Sequence, residues 1–148
     1  MEQKGTILVV DDDMLVRKSV ERILAGRGYA VETASSAEEA QQVLGRRFYD
    51  LVITDLEMPG EDGMALLAHV KRRLPDTGVV MLTGHGSKDV VIEALRRGVD
   101  DFLEKPYKPN ELINVVQREV ARSRRSAPPG MDAGLGVQLE VEQFDEIE

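Results

Sequence analysis

The chain contains no cysteine, which excludes disulfide bridges and zinc sites built on thiolates. It also has no run of apolar residues long enough to cross a bilayer. Its first residues lack the basic segment, the apolar run and the small-residue cleavage site of a secretion signal. We therefore expect a protein of the reducing cytoplasm that makes no membrane contact.

Positive charge is scarce as well. The formal net charge is −8, because 27 aspartates and glutamates outnumber 19 lysines and arginines. A chain with this balance does not attract a polyanion across its whole surface. We expect no direct contact with nucleic acid, so that any DNA binding would need a separate part.

At 148 residues, with 42% hydrophobic and 31% charged residues, the chain has the size and composition of one globular domain with its own core. The composition changes towards the carboxyl terminus. Residues 126–136 are rich in proline and glycine, and residues 137–148 are acidic with a few scattered apolar residues. We predict a domain over residues 5–122, followed over residues 123–148 by a linker and an acidic tail, or by the beginning of a further output domain.

Five short apolar runs alternate with five segments whose apolar residues recur at helical spacing. The runs predicted as strands are residues 6–10, 29–34, 51–55, 79–82 and 101–104. Ser36 and Glu39 have the spacing of a capping box at the start of the second helix, and Pro75 stops the third. This alternation predicts an α/β protein with a doubly wound parallel sheet and right-handed crossovers.

Polar side chains follow the predicted strands where each one ends. Asp11 and Asp12 follow the first strand, Asp55 ends the third, Thr83 follows the fourth and Lys105 follows the fifth. The carboxyl ends of parallel strands meet at one edge of the sheet, where the chemistry of such folds takes place. We therefore expect these five side chains to lie close together.

Three crowded carboxylates raise one another's pKa, and a divalent cation is the simplest means of keeping them ionised. An oxygen-rich site of this size suits Mg²⁺. An aspartate, a hydroxyl, an ammonium and Mg²⁺ are also the groups that phosphoryl transfer needs. Asp55 considered alone has an alternative role as a turn or capping residue. We expect Asp13 only to begin the following helix, where a carboxylate meets the helix dipole.

In combination these motifs resemble the receiver domains of two-component response regulators, over about residues 5–122. The matching motifs are Asp11-Asp12, Asp55 followed by Met58-Pro59-Gly60 and Gly63, Thr83-Gly84, and Lys105-Pro106. The resemblance implies a flavodoxin-like (βα)5 fold with strand order 2-1-3-4-5. Residues 82–86 and 101–106 are most similar to the nitrogen-regulation and nitrogen-fixation regulators.

The resemblance also implies a mechanism. Asp55 would accept a phosphoryl group from the phosphohistidine of a sensor histidine kinase and form an acyl phosphate. Mg²⁺ would be held by Asp12 and Asp55, by the backbone carbonyl of Glu57 and, through water, by Asp11. Lys105 would pair with the phosphoryl oxygens. The chain would catalyse only its own phosphorylation and dephosphorylation, and it would not be an enzyme acting on other substrates.

The same resemblance implies a switch that responds to the phosphoryl group. Thr83 would turn inward to bond that group, and Phe102 would turn inward with it. The face made by the fourth helix, fifth strand and fifth helix would then control a homodimer or an output partner in transcription regulation. The Lys105-Pro106 bond would be cis, as is usual in such domains. Glu57 and His85 would flank the path of the attacking water and set the lifetime of the phosphorylated state.

Three other functions stay open from the residues. An aspartyl-phosphate phosphohydrolase would use Asp55 as nucleophile and Glu57 as general acid, and it would turn over small phosphate esters. A flavodoxin-like nucleotide or flavin carrier would need a glycine- or hydroxyl-rich loop after the first strand, where this chain has three aspartates. An unphosphorylated scaffold would have no need of Asp55, Thr83 or Lys105.

Overall fold

The structure is a computed structural model that describes residues 4–58, 60, 62–84 and 88–126. Within these residues five strands alternate with five helices. The strands are β1 (Thr6–Val10), β2 (Ala30–Ala34), β3 (Leu51–Asp55), β4 (Gly78–Thr83) and β5 (Asp101–Glu104). The helices are α1 (Met14–Ala25), α2 (Ala37–Leu44), α3 (Gly63–Arg73), α4 (Lys88–Arg96) and α5 (Pro109–Ser126). The predicted α/β alternation is confirmed.

The five strands form one parallel sheet in the order β2-β1-β3-β4-β5. This confirms the flavodoxin-like order 2-1-3-4-5. β1 and β3 are neighbours, and Val10 is paired with Thr54. The residues that follow these partners, Asp11 and Asp55, therefore lie side by side at the carboxyl ends of the two strands.

Helices cover the sheet on both faces, and each face has its own apolar core. Alternate residues of β1 point to opposite faces. Leu8 and Val10 pack with residues of α2, α3 and α4, whereas Ile7 and Val9 pack with residues of α1 and α5. Burial on both sides explains why β1 and β3 are continuous apolar runs. Among the described helices, none combines the length and the apolarity that crossing a bilayer requires.

The helix starts follow from side chains that accept backbone N–H groups. Ser36 Oγ accepts the N–H of Glu39 at 3.1 Å, as the capping box predicts. In a capping box the acid accepts the N–H of the N-cap residue in return. Here the Glu39 carboxylate accepts the N–H of Ser35, one residue before the cap, at 2.8 Å. Asp13 accepts the N–H of Leu15 at 2.9 Å and caps α1, which confirms its expected structural role.

Element boundaries differ from prediction where contacts between distant residues decide them. β2 begins one residue later than predicted, because the N–H of Tyr29 bonds to the Leu24 carbonyl at the end of α1. β4 begins at Gly78, whose N–H bonds to the Asp50 carbonyl at 3.0 Å. α5 continues to Ser126, four residues past the predicted domain end at 122. The predicted linker and tail fall mostly on residues 127–148, which lie outside the described residues, so this boundary stays a prediction.

The end of α5 is tied to the start of the sheet by a buried carboxylate. Asp50, whose side chain is 2% exposed, accepts the N–H of Thr6 at 2.8 Å. Arg124 donates to the same carboxylate from Nε at 3.2 Å and from Nη2 at 3.3 Å. Next to Arg124, the Ser123 hydroxyl donates to the Asp76 carbonyl at 2.7 Å. These contacts explain why the helix does not fray at residue 122.

Removing this tie tests its contribution to stability. Arg124→Ala leaves the buried Asp50 carboxylate without its cation, and we expect the free energy of unfolding to fall by about 2 kcal/mol, as for the loss of a hydrogen bond to a charged group. The neighbouring Arg125 is exposed, so Arg125→Ala is the matched control, with an expected change within about 0.5 kcal/mol. Urea unfolding followed by circular dichroism measures both. Equal effects of the two substitutions would contradict the anchoring role of Arg124.

Candidate functional site

Three carboxylates meet at the carboxyl edge of the sheet, as the strand ends predict. Asp11 follows β1, Asp12 comes next, and Asp55 ends β3. One oxygen of each residue lies within 4.8 Å of one oxygen of each of the others. Asp11 is 1% and Asp55 9% exposed, whereas Asp12 is open to solvent. The cluster therefore extends from the protein interior to its surface.

One ammonium group faces this cluster. Lys105 Nζ lies 3.3 Å from Asp55 Oδ1 and 3.7 Å from Asp11 Oδ2. The Lys105 backbone N–H bonds to the Thr83 carbonyl at 2.8 Å, which joins the loop after β5 to the end of β4. The peptide bond between Lys105 and Pro106 is cis, as the resemblance implies. Among the described residues, the site thus combines three acids with a single close ammonium.

The pKa values of the site reflect burial first and the neighbouring charges second. Burial raises the pKa of Asp55, and the nearby Lys105 ammonium offsets this only in part. Burial also raises the pKa of Asp11, although its carboxylate accepts the N–H of Asp13 at 2.9 Å. Burial by itself would lower the pKa of Lys105, but the Asp55 and Asp11 carboxylates raise it above its ordinary value. The ionised acids are therefore short of compensating positive charge.

A second observation indicates a cation at this place. Asp11 Oδ2 is buried and accepts no hydrogen bond from the described residues. A buried carboxylate oxygen without a donor is costly, and a hard divalent cation with oxygen ligands would satisfy it. Asp11, Asp12 and Asp55 therefore fit Mg²⁺. The predicted fourth contribution, from the backbone carbonyl of Glu57, stays a prediction; the Glu57 side chain is exposed.

The Thr83 hydroxyl is also buried and has no hydrogen-bond partner among the described residues. Thr83 ends β4 at the edge where the acids lie. Phe102, on the neighbouring strand, is paired in register with Met81, two residues before Thr83. It is partly buried and packs against the core of the face covered by α2, α3 and α4. The switch roles of Thr83 and Phe102 stay predictions, and His85 lies outside the described residues.

Two contacts around the acids escaped the sequence analysis. Arg17 Nη1 donates to the Asp11 backbone carbonyl at 2.7 Å, which fixes the acid-bearing loop against α1. At Gly63 an added Cβ would lie 2.4 Å from the Asp55 carbonyl oxygen, so the first residue of α3 touches the backbone of Asp55. Gly63 belongs to the matching motif, but its spacing does not reveal this contact. No signal in the single sequence identifies Arg17.

Comparison with known proteins agrees with this geometry. The family model of the response regulator receiver domain matches residues 7–117. The chain belongs to that family. The matched range includes the acids at the tips of β1 and β3 and the lysine after β5.

The relatives include regulators of the nitrogen-regulation group. The chain is 35% identical over 127 residues to the DNA-binding transcriptional regulator NtrC of Escherichia coli K12. This alignment covers 86% of the chain and 27% of that protein. It is 40% identical to the receiver domain of NtrX from Brucella abortus, with a TM-score of 0.74 over 78% of this chain and 98% of that one. A CheY-like receiver from Methanospirillum hungatei is 29% identical, with a TM-score of 0.79 over 82% and 98% of the two chains. The chain thus spans about a quarter of the length of the curated relatives it matches.

The contact at Gly63 generates a test of the site geometry. In Gly63→Ala the new methyl group must displace the Asp55 carbonyl, and we expect Mg²⁺ affinity to fall by about 10–100-fold, as when a group supporting metal ligands is lost. Amide NMR shifts of residues 11–13 during a Mg²⁺ titration measure the affinity. Gly45→Ala is the control, because its Cβ would meet the nearest atom at an ordinary 3.5 Å. Parent-like Mg²⁺ binding by Gly63→Ala would contradict this account.

The raised pKa of Asp11 generates a second test. Since its folded-state pKa lies above the ordinary 3.8, the folded chain holds this proton more tightly than the unfolded chain, and stability falls as the pH rises through that pKa. Asp11→Asn removes the charge but keeps an oxygen for the N–H of Asp13. Without Mg²⁺ at neutral pH we expect the variant to melt above the parent, by about 2–4 °C per kcal/mol gained. Below pH 3.8 the advantage should vanish.

Thermal melts across pH provide the measurement, with Asp62→Asn as control. Asp62 is an exposed N-cap of α3, and asparagine caps a helix about as well as aspartate. Saturating Mg²⁺ should reverse the order, because binding to the folded state stabilises the parent more. A variant less stable than the parent at neutral pH without Mg²⁺ would show that the Asp11 charge does not destabilise the fold.

Proposed function

We propose that the chain is a Mg²⁺-dependent phosphoacceptor whose acceptor is Asp55 and whose donor is the phosphohistidine of a sensor histidine kinase. The observation that carries the proposal is the position of Asp55. It lies at a strand tip, 3.3 Å from the Lys105 ammonium and beside two further acids that fit a divalent cation. Family membership supports the same conclusion.

The residues divide the chemistry among themselves. An ionised Asp55 oxygen attacks phosphorus, an O–P bond forms, and the P–N bond to the donor imidazole breaks with its electron pair leaving on nitrogen. Lys105 stabilises the negative charge on the phosphoryl oxygens. Asp11, Asp12 and Asp55, together with the Glu57 carbonyl, would hold Mg²⁺, which supplies further neutralisation when bound. Water later attacks the phosphorus of the acyl phosphate, the bond between phosphorus and the Asp55 oxygen breaks, and inorganic phosphate leaves as the carboxylate is restored.

This chemistry acts on the chain itself, so we do not assign it an enzymatic activity towards other molecules. The position of Asp55 on the third strand of the chain rather than the first favours a phosphoacceptor over an aspartyl-phosphate phosphohydrolase. In the proposal Glu57 and His85 govern how fast water reaches the phosphoryl group. They set the lifetime of the phosphorylated state and are not required for its formation.

The Thr83 hydroxyl supports a response to phosphorylation. A phosphoryl group adds about −1.5 to −2 charges and new acceptor oxygens at the edge where that buried hydroxyl has no described partner. In the proposal Thr83 moves to donate to these oxygens and Phe102 moves with it. The rearrangement passes to the face formed by α4, β5 and α5, which binds an output partner or a second copy.

The output is proposed to be transcription regulation. Escherichia coli NtrC, a relative, is described as a DNA-binding transcriptional regulator. This chain matches only 27% of that protein, so contact with DNA would come from a part other than the receiver.

Intact-mass spectrometry tests the phosphoacceptor proposal. After incubation with Mg²⁺ and a small donor such as acetyl phosphate, we expect a gain of one phosphoryl group that requires Mg²⁺. Asp55→Asn should abolish the gain, because an amide oxygen is too weak a nucleophile. Asp62→Asn, at an exposed acid outside the cluster, should leave it unchanged. No gain at saturating donor, or a full gain in Asp55→Asn, would refute the proposal.

Exposed apolar residues on α4 generate a test of the dimer. Leu95 is 56% and Ile92 38% exposed, and we expect phosphorylation to increase the dimer fraction through this face. Leu95→Gln should lower that fraction by removing apolar contact area. Leu15→Gln is the control, because Leu15 is 75% exposed on α1, outside that face. Sedimentation velocity of the phosphorylated chains measures the dimer fraction. Equal dimer fractions in the two variants would contradict the proposal.

A further inference from the structure

The edge of the sheet opposite the acids is rich in arginine. The helices end there and the strands begin there, as in any doubly wound sheet. Exposed arginines on this edge, called the basic edge below, are Arg27, Arg46, Arg47, Arg72, Arg73, Arg96, Arg97 and Arg125. They come from the ends of all five helices or from the turns that follow them. The domain therefore carries its acid cluster at one end of the sheet and this set of arginines at the other.

Hydrogen bonds between the turns show that these helix ends lie on one continuous edge. The N–H of Lys4 bonds to the Gly28 carbonyl at 3.2 Å, and the N–H of Gly78 bonds to the Asp50 carbonyl at 3.0 Å. Lys71, at the end of α3, bonds to the Asp100 carboxylate before β5 at 2.7 Å. The helix ends and turns that carry the arginines thus lie along one edge of the sheet.

Ion pairs within the described residues involve only a minority of these arginines. Arg47 pairs with Glu32, and Arg97 pairs with Glu93 at 2.7 Å. The others make no ion pair with the described part of the chain; these are Arg27, Arg46, Arg72, Arg73, Arg96 and Arg125. A cation at a helix carboxyl terminus is favoured by the helix dipole, which accounts for each one singly. Together they concentrate positive charge at one edge of a protein whose net charge is −8, where Asp76 and Asp100 are the partly exposed acids of the neighbouring turns and Asp100 pairs with Lys71.

The segment that follows α5 in the sequence carries negative charge, which is complementary to the basic edge. Residues 127–148 contain six carboxylates and no lysine or arginine. The carboxylates are Asp132, Glu140, Glu142, Asp145, Glu146 and Glu148. α5 ends at Ser126, beside Arg124 and Arg125, so this segment leaves the domain at the basic edge. We propose that residues 137–148, called the acidic segment, bind the basic edge of the same chain.

Distance and concentration both favour binding within one chain. The ten residues 127–136 can span up to about 35 Å, which exceeds the width of about 19 Å for five strands spaced about 4.8 Å apart. A short tether places the acidic segment at an effective concentration of about millimolar. Exposed charges attract one another over about 8 Å at physiological ionic strength and about 3 Å at 1 M salt. Each pair of charges should therefore contribute little by itself, and binding should depend on many pairs together and weaken as salt is added.

The inference concerns the end of the domain opposite Asp55, so it does not depend on phosphoryl chemistry. Bound in this way, the acidic segment covers arginines that an external polyanion would otherwise contact. The segment is the occupant that the sequence itself supplies, tethered beside the surface and of opposite charge. Binding to a second copy of the chain is the other outcome that the test distinguishes.

Paramagnetic relaxation measures where the acidic segment lies. Because the chain has no cysteine, Gln143→Cys provides a single attachment point for a spin label without altering a charge. In the ¹⁵N-labelled full chain at low salt we expect amide broadening at the basic edge, near Arg46, Arg72 and Arg96, and none near Asp12 or Asp55. In 1 M salt the broadening at the basic edge should vanish.

Matched charge removals distinguish a specific contact from general attraction. Arg72→Gln with Arg96→Gln should reduce the broadening by at least half. Lys88→Gln with Lys108→Gln removes two exposed cations from the starts of α4 and α5, at the other end of the sheet, and should leave the broadening unchanged. An otherwise unchanged amide spectrum verifies that each variant folds.

Three results would overturn the proposal. The first is broadening confined to residues 120–126 at every salt concentration, which means that the segment does not bind. The second is equal loss in both pairs of variants, which means that only net charge matters. The third concerns a mixture of ¹⁴N chain that carries the spin label with ¹⁵N chain that carries none. Broadening as strong as in the singly labelled chain would assign the basic edge to a second copy.

Discussion

The crowding of three carboxylates against one ammonium at the carboxyl edge of the sheet is the constraint on which the site depends. Burial withholds water from Asp11 and Asp55 and raises the pKa of both. Lys105 lies near both acids but supplies only one positive charge. The remaining imbalance explains why the cluster fits a divalent cation, and why it suits a phosphoryl group whose charge that cation and Lys105 would share. The same electrostatic deficit thus underlies both the proposed metal binding and the proposed phosphoryl chemistry.

The fold produces this crowding through strand order. Placing β3 beside β1 brings two acids together that are far apart in the sequence. Neighbouring contacts then hold their backbones: Arg17 bonds to the Asp11 carbonyl, and Gly63 allows α3 to approach the Asp55 carbonyl. At the opposite edge, Asp50 and Arg124 fix the end of α5. The proposed phosphoryl chemistry lies at the carboxyl edge, at the other end of the sheet from this tie.

Much of this arrangement can be read from local sequence, because local forces produce it. An apolar run followed by an acid predicts a buried strand with a carboxylate at its tip, and both β1 and β3 obey that rule. Ser36 and Asp13 act as caps through residues two or three positions away. The strand order, in contrast, came from the family resemblance, since alternation by itself does not determine which strands are neighbours. Arg17, the contact at Gly63 and the true end of α5 were missed, because each depends on a tertiary contact that periodicity does not encode.

The most direct measurement of the central claim is a ¹³C-carboxyl NMR titration of Asp55 with and without Mg²⁺. The account predicts an apo pKa above the ordinary 3.8, lowered when Mg²⁺ is present because the cation stabilises the ionised carboxylate. Chemical shifts of the exposed Asp62 carboxyl in the same spectra provide an internal reference. An Asp55 pKa at or below the ordinary value without Mg²⁺, or one that Mg²⁺ does not move, would contradict the claim that the fold holds uncompensated carboxylates ready for a cation.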